Sequence, residues 1–144
     1  MDERRTCISS LKFLNYTVNK VNFTANNVQD KKDGWKLSFD IKNTTRINAE
    51  KNKMSITLTV GVFKGIEDAP FYIDAEIVGY FELEGNDNII RYEANAIAIM
   101  YPYLRAIIST YTSAANVAPV ILPAINVNAM LKRKREQDQK QLKD

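Results

Sequence analysis

The chain of 144 residues contains no histidine. That absence removes Ser-His-Asp and Cys-His catalysis and every His-ligated metal site. Cysteine occurs once, as Cys7, which excludes an internal disulfide and a multi-cysteine metal site and reads as an ordinary reduced thiol. No apolar run reaches the roughly 18 residues that a membrane span needs. The opening MDERRTC is charged and lacks an apolar stretch of signal-peptide length. The expectation is a cytoplasmic protein without membrane insertion. Excess charge is also scarce: the net charge is +3, and most of the excess lies in the C-terminal KRKR at 132–135. A basic end on a near-neutral body argues against nucleic acid as a partner.

What is present is ordinary for a globular domain, with 45% hydrophobic and 26% charged residues. The length fits one domain over 1–144. Within it, about 1–10 reads as an N-terminal extension and about 132–144 as a polar, basic helix end or tail. Carboxylates occur, but no spacing singles out an acid/base pair, so neither an enzyme nor a cofactor is expected.

The first two thirds alternate with period two. Trp35, Leu37, Phe39 and Ile41 are apolar against Lys36, Ser38, Asp40 and Lys42. Met54, Ile56, Leu58, Val60 and Val62 repeat the pattern, as do Phe71, Ile73, Ala75, Ile77, Phe81 and Leu83. Successive side chains of a strand point to opposite faces, so each run is a half-buried strand. An earlier strand, from about Phe13 to Ala25, changes parity between Val18 and Val21. One extra residue near Asn19-Lys20, a β-bulge, restores the alternation. The connections NNVQDKKDG, NTTRINAEKN and KGIEDAP are too short for helical crossovers. These features predict an α+β fold with a four-stranded antiparallel meander and two C-terminal helices packed on one side.

The last third changes period. NDNIIRYEANAIAIM reads as a short helix or an irregular lead-in. Pro102 suits a helix's first turn, and Leu104, Ile107, Ile108, Tyr111 and Ala115 follow at helical spacing. VAPVILPAI, with two prolines, crosses as an extended loop. Asn126 or Asn128 can cap a final helix. Beyond the cover one helix provides stand Val117, Val120, Ile121, Leu122, Ile125, Val127, Met130 and Leu131. At roughly 25 cal/mol per Å² of buried apolar area, leaving all of them wet forgoes several kcal/mol. An exposed set of this kind marks an interface or a groove.

Two stretches carry a family resemblance. YPYLRAIIST (101–110) resembles the opening of the long helix in the SecB protein-export chaperones, through Tyr101, Pro102, Tyr103, Arg105, Ile108, Ser109 and Thr110. LPAINVNAML (122–131) resembles that family's crossover loop and second-helix start. VNFTAN, DGWKLSFDI, ITLTVGV and GYFELEG fall in register with its four strands, so the resemblance runs from about Leu11 to Leu131.

The resemblance implies a holdase that binds unfolded client polypeptides in apolar grooves without ATP, and that assembles as a dimer or as a homotetramer built from two dimers. It assigns Trp35, Leu37, Phe39, Ile121, Leu122, Ile125, Met130 and Leu131 to the peptide-binding groove. It assigns Tyr103, Arg105, Ile108 and Tyr111 to contacts between copies. Asp74 matches an acid with which export-type members dock the SecA motor. Lys20 and Thr24 replace two other such acids, KRKREQDQKQLKD replaces an acidic tail, and Ala114-Ala115-Asn116 replaces a glycine turn. These departures count against SecA; the family resemblance also takes in a solitary or toxin–antitoxin-associated branch, whose members protect an aggregation-prone antitoxin. The alternatives are therefore a chaperone dedicated to a single client and a nucleic-acid-associated protein acting through the basic tail.

Overall fold

A computed structural model describes residues 9–26 and 35–143. The expectations for Cys7, for the N-terminal extension up to residue 8 and for most of NNVQDKKDG lie outside the described residues. Four strands, β1 (Leu11–Ala25), β2 (Phe39–Ile47), β3 (Lys53–Val62) and β4 (Phe71–Leu83), precede a 3-10 turn at Ile89–Tyr92. Helices α1 (Glu93–Ala114) and α2 (Val127–Lys143) follow.

The strands form one antiparallel sheet in the order β1-β4-β3-β2. β2, β3 and β4 make the expected meander, but β1 pairs with β4 and not with β2. The alternation fixes which face a side chain takes and leaves the neighbour open. β1 and β4 are the two longest strands, at 15 and 13 residues, and their inner faces match, with Phe13 opposite Phe81 and Phe23 opposite Ile73. In the interior, β4 has both rows of backbone groups paired.

Strand β1 bulges between Val18 and Lys20, as the parity change requires, and again between Phe13 and Asn15. Strand β2 differs from the alternation. Trp35 and Leu37 precede it, and it continues through NTTRI to Ile47, a stretch whose polar residues read as a connection. Its inner face is polar in the middle, where buried Asn43 lies opposite Leu58 and donates from Nδ2 to Thr45 Oγ1 at 3.0 Å. The turn that follows is held by Asn48 Oδ1, which accepts from the amides of Asn52 at 3.0 Å and Lys53 at 2.9 Å.

Helix α1 lies against the inner face through Ala96, Ile97, Met100, Tyr101, Leu104, Ile108 and Thr112, a stripe at helical spacing. It starts at Glu93, so Pro102 lies inside it and not in its first turn. Pro102 and Ala98 are both exposed, so the carbonyl left without an amide donor is on the solvent side, where water reaches it. Opposite Met100 the sheet carries Gly79, where an added Cβ would stand 2.7 Å from Met100 Sδ. The absence of a side chain there lets the helix close onto β4. Asn126 caps α2, its Oδ1 accepting from the amide of Ala129 at 3.0 Å.

Candidate functional site

After a turn at 115–117, where Asn116 takes a positive φ of 62°, the segment between the helices runs through 118–126 without helix or strand, as two prolines demand. Two hydroxyls of α1 hold it. Thr112 Oγ1 accepts from the amide of Val120 at 2.9 Å and donates to the carbonyl of Ile108 at 2.8 Å, so a wholly buried hydroxyl is satisfied in both senses. Tyr101 donates its hydroxyl to the carbonyl of Pro123. Burial raises the Tyr101 phenol above its ordinary pKa, while the nearby Arg105 charge pulls the other way.

Between these two ties the extended backbone alternates. Val120 and Leu122 turn inward, and Leu122 is 0% exposed. Ile121 turns outward and is 68% exposed. Most of the apolar excess of this region thus belongs to the protein's own core: Val117, Ile125, Val127, Met130 and Leu131 are half-buried against it. Ile121 remains as the surface residue. It borders an open hollow of about 310 Å³ shared with Pro102, Arg105, Ala106 and Ser109 of α1.

The groove residues expected on the second strand lie at the start of β2 and just before it. Trp35 and Phe39 are half-buried and Leu37 is exposed. Trp35 ends an aromatic row that crosses the fold: its ring meets Phe63 at 6.5 Å, Phe63 meets Phe71 at 5.3 Å, Phe71 meets Phe23 at 5.6 Å, and Phe23 meets Tyr111 at 5.8 Å. Helix α2 reaches β2 through Lys134, whose Nζ donates to the carbonyl of Asn43. Met130 and Leu131 stand four and three residues before Lys134, on the same face of α2. This brings the Met130–Leu131 face and the β2 edge to one side of the sheet.

The four residues expected between copies separate. The Tyr103 ring lies tilted at 4.7 Å from Tyr16 and 5.7 Å from Phe13, and Tyr111 meets Phe23, so both tyrosines flank β1, about 40% exposed each. Arg105 lies on the opposite flank, beside the crossover. Ile108 is 0% exposed and offers no surface to another copy. The same correction applies to Leu122 as a groove residue, because an inward-facing position in an extended run is consumed by the core.

Asp74 is on the outer, polar face, half-buried, and accepts the Tyr72 hydroxyl at 2.7 Å through Oδ2. That hydrogen bond, with burial and the charges of Asp74 and Asp40, pushes the Tyr72 pKa up to about 12. Lys20 faces Glu76 and Thr24 faces Tyr72 across β1 and β4. Sequence reasoning missed the ties at Tyr101 and Thr112. The available signal was a hydroxyl within an otherwise apolar buried stripe. It also missed a second hollow of about 370 Å³ at the end of the sheet, where Leu14 stands in the first bulge beside Ile47, Met54 and Tyr80.

The family described as preprotein translocase subunit SecB matches residues 18–138, from within β1 to within α2. The chain belongs to the SecB family. An uncharacterized protein of Methanocaldococcus jannaschii is 39% identical over 128 residues, covering 85% of this chain and 83% of that protein. Among solved structures, the Mycobacterium tuberculosis SecB-like chaperone Rv1957, in complex with a ChAD peptide from the Rv1956 HigA1 antitoxin, superposes with a TM-score of 0.61. It covers 81% of this chain and 91% of that one at 12% identity, which shows a common SecB-like fold. Among the described residues of this SecB-family chain, no helix is long and apolar enough to cross a membrane.

Proposed function

We propose that this SecB-family protein is a chaperone that holds non-native polypeptides, without ATP, on apolar surface beside its crossover segment. Ile121 carries the reading: a large aliphatic side chain, tied at both ends of its loop by α1, is held in solvent where the fold gains nothing from it. The exposed parts of Ile125, Met130 and Leu131, each half-buried on the core, extend the apolar surface with Trp35, Leu37 and Phe39 at the β2 edge. Capture then rests on burial of client side chains, with backbone hydrogen bonds adding affinity that is indifferent to sequence. Several such surfaces in one assembly raise the effective concentration, so a long unfolded chain binds more tightly than a short peptide.

Assembly as a dimer or a pair of dimers uses α1 and β1. From Ala94 to Ala114 the helix carries a single charge, Arg105, and away from the hollow beside Ile121 its exposed positions Ala98, Ile99 and Thr110 are uncharged. Tyr103 and Tyr111 add half-exposed aromatic surface over β1. SecA docking has weaker support, since one oxygen of Asp74 is already engaged by Tyr72. A second reading, a chaperone for one antitoxin-like client, is favoured by the fold match to a SecB-like chaperone bound to an antitoxin peptide.

The test is light scattering from a chemically unfolded protein, with oligomer mass recorded on the same sample. Wild type is expected to suppress aggregation, and Ile121→Asp to lose suppression at unchanged mass. A folded oligomer that suppresses nothing sinks the general holdase and leaves the dedicated one.

A further inference from the structure

Arg105 is the only charged side chain between Glu93 and Lys132. It is exposed, and among the described residues the ion pairs lie elsewhere, at Lys12–Glu84 and Arg91–Asp87. It lines the hollow together with Ile121, Pro102, Ala106 and Ser109. Ser109 turns its hydroxyl to the carbonyl of Ala106, which leaves the guanidinium as the strong donor of the site. The walls are otherwise apolar, and the two ties from Tyr101 and Thr112 set the far wall before any ligand arrives.

A guanidinium offers a planar fork of donors that a carboxylate satisfies in two parallel hydrogen bonds. An apolar client side chain laid over Ile121 would shield such a pair from water and strengthen it. A phosphate backbone would satisfy the same fork, but nucleic-acid affinity comes from many cations acting together, and this surface has one. We propose that the hollow between α1 and the crossover segment selects acidic clients: an apolar client side chain lies against Ile121 while Arg105 binds the carboxylate of an adjacent Asp or Glu. The proposal deepens the holdase reading and rests on it. It adds a preference that burial of apolar surface does not supply, because among the described residues the other cations stand outside this hollow.

The experiment uses fluorescently labelled unstructured peptides that share one apolar segment and differ in its flanking residues, Glu in one and Gln in the other. Anisotropy titrations are run on full-length wild type, Arg105→Gln, Arg105→Lys and Ile121→Ser, at low and high salt, with oligomer mass measured for each. Wild type is expected to bind the Glu peptide on the order of tenfold more tightly, the size of one charge-assisted hydrogen bond. Arg105→Gln should level the two peptides, Arg105→Lys should keep part of the preference, and Ile121→Ser should weaken both. Equal binding of both peptides by wild type overturns the proposal and leaves the holdase standing. A preference that survives Arg105→Gln also overturns it, as does a change of oligomer mass in that variant, which would make Arg105 a contact between copies. Failure of a folded oligomer to bind either peptide overturns the holdase reading itself.

Discussion

The hydroxyl of Thr112 accepts from the amide of Val120 at 2.9 Å, in a position where both groups are shut off from water. This one contact fixes the phase of the crossover segment and so decides that Leu122 enters the core while Ile121 leaves it. Thr112→Val keeps the shape and removes the acceptor, leaving a buried amide unmet at a cost of about 1–3 kcal/mol. Chemical denaturation should show that loss, and amide exchange at Val120 should accelerate with it. Thr112→Ser, which restores an acceptor, should recover most of the protection.

Gly79 and Met100 give a second test. The Cβ of an alanine at 79 would stand 2.7 Å from Met100 Sδ, and Met100 is fully buried, so its side chain must repack within the core. Gly79→Ala should destabilise by about 1–3 kcal/mol through overpacking. Because the clash is with one side chain, Gly79→Ala combined with Met100→Ala should cost less than the sum of the two single changes. Additive costs in denaturation would show that the helix does not close on β4 at this point.

The outer face predicts a pH response. Tyr72 has its pKa raised from 10.0 to about 12, chiefly by its hydrogen bond to Asp74. A phenol whose folded pKa exceeds its unfolded one contributes stability that is whole below the unfolded value. That contribution is lost as pH rises through the folded value. Stability should therefore fall between pH 10.0 and about 12. Following phenolate absorbance, Asp74→Asn should bring the Tyr72 transition down toward the ordinary range, and a transition left unmoved would contradict the assigned cause.

Strands β3 and β4 were legible because both of their faces sort cleanly by period two. The second half of β2 was not, since its inner positions Asn43 and Thr45 are polar and satisfy each other, with Lys134 of α2 covering the Asn43 carbonyl. Periodicity reports faces and says nothing of neighbours, which is why the β1–β4 pairing escaped it. Pro102 misled for a related reason: proline at a helix start and proline on the wet side of a long helix look alike until the buried stripe before it is traced. At the candidate site, the apolar run was legible as a run. Its division into Ile121 outside and Leu122 inside depended on two hydroxyls, and no hydropathy pattern displays those.

On the proposed function, Ile121 meets client chains because of where it stands and not merely because it is exposed. Leu142, near the end of α2, is more exposed, at 87% against 68%, and lies away from the crossover segment. A photo-crosslinking residue placed at 121 or at 142 separates location from exposure. With an unfolded client present, the protein should crosslink strongly from position 121 and weakly from 142, and an excess of unlabelled client should abolish the former. Equal crosslinking from both positions, or crosslinking from 142 alone, would contradict the account.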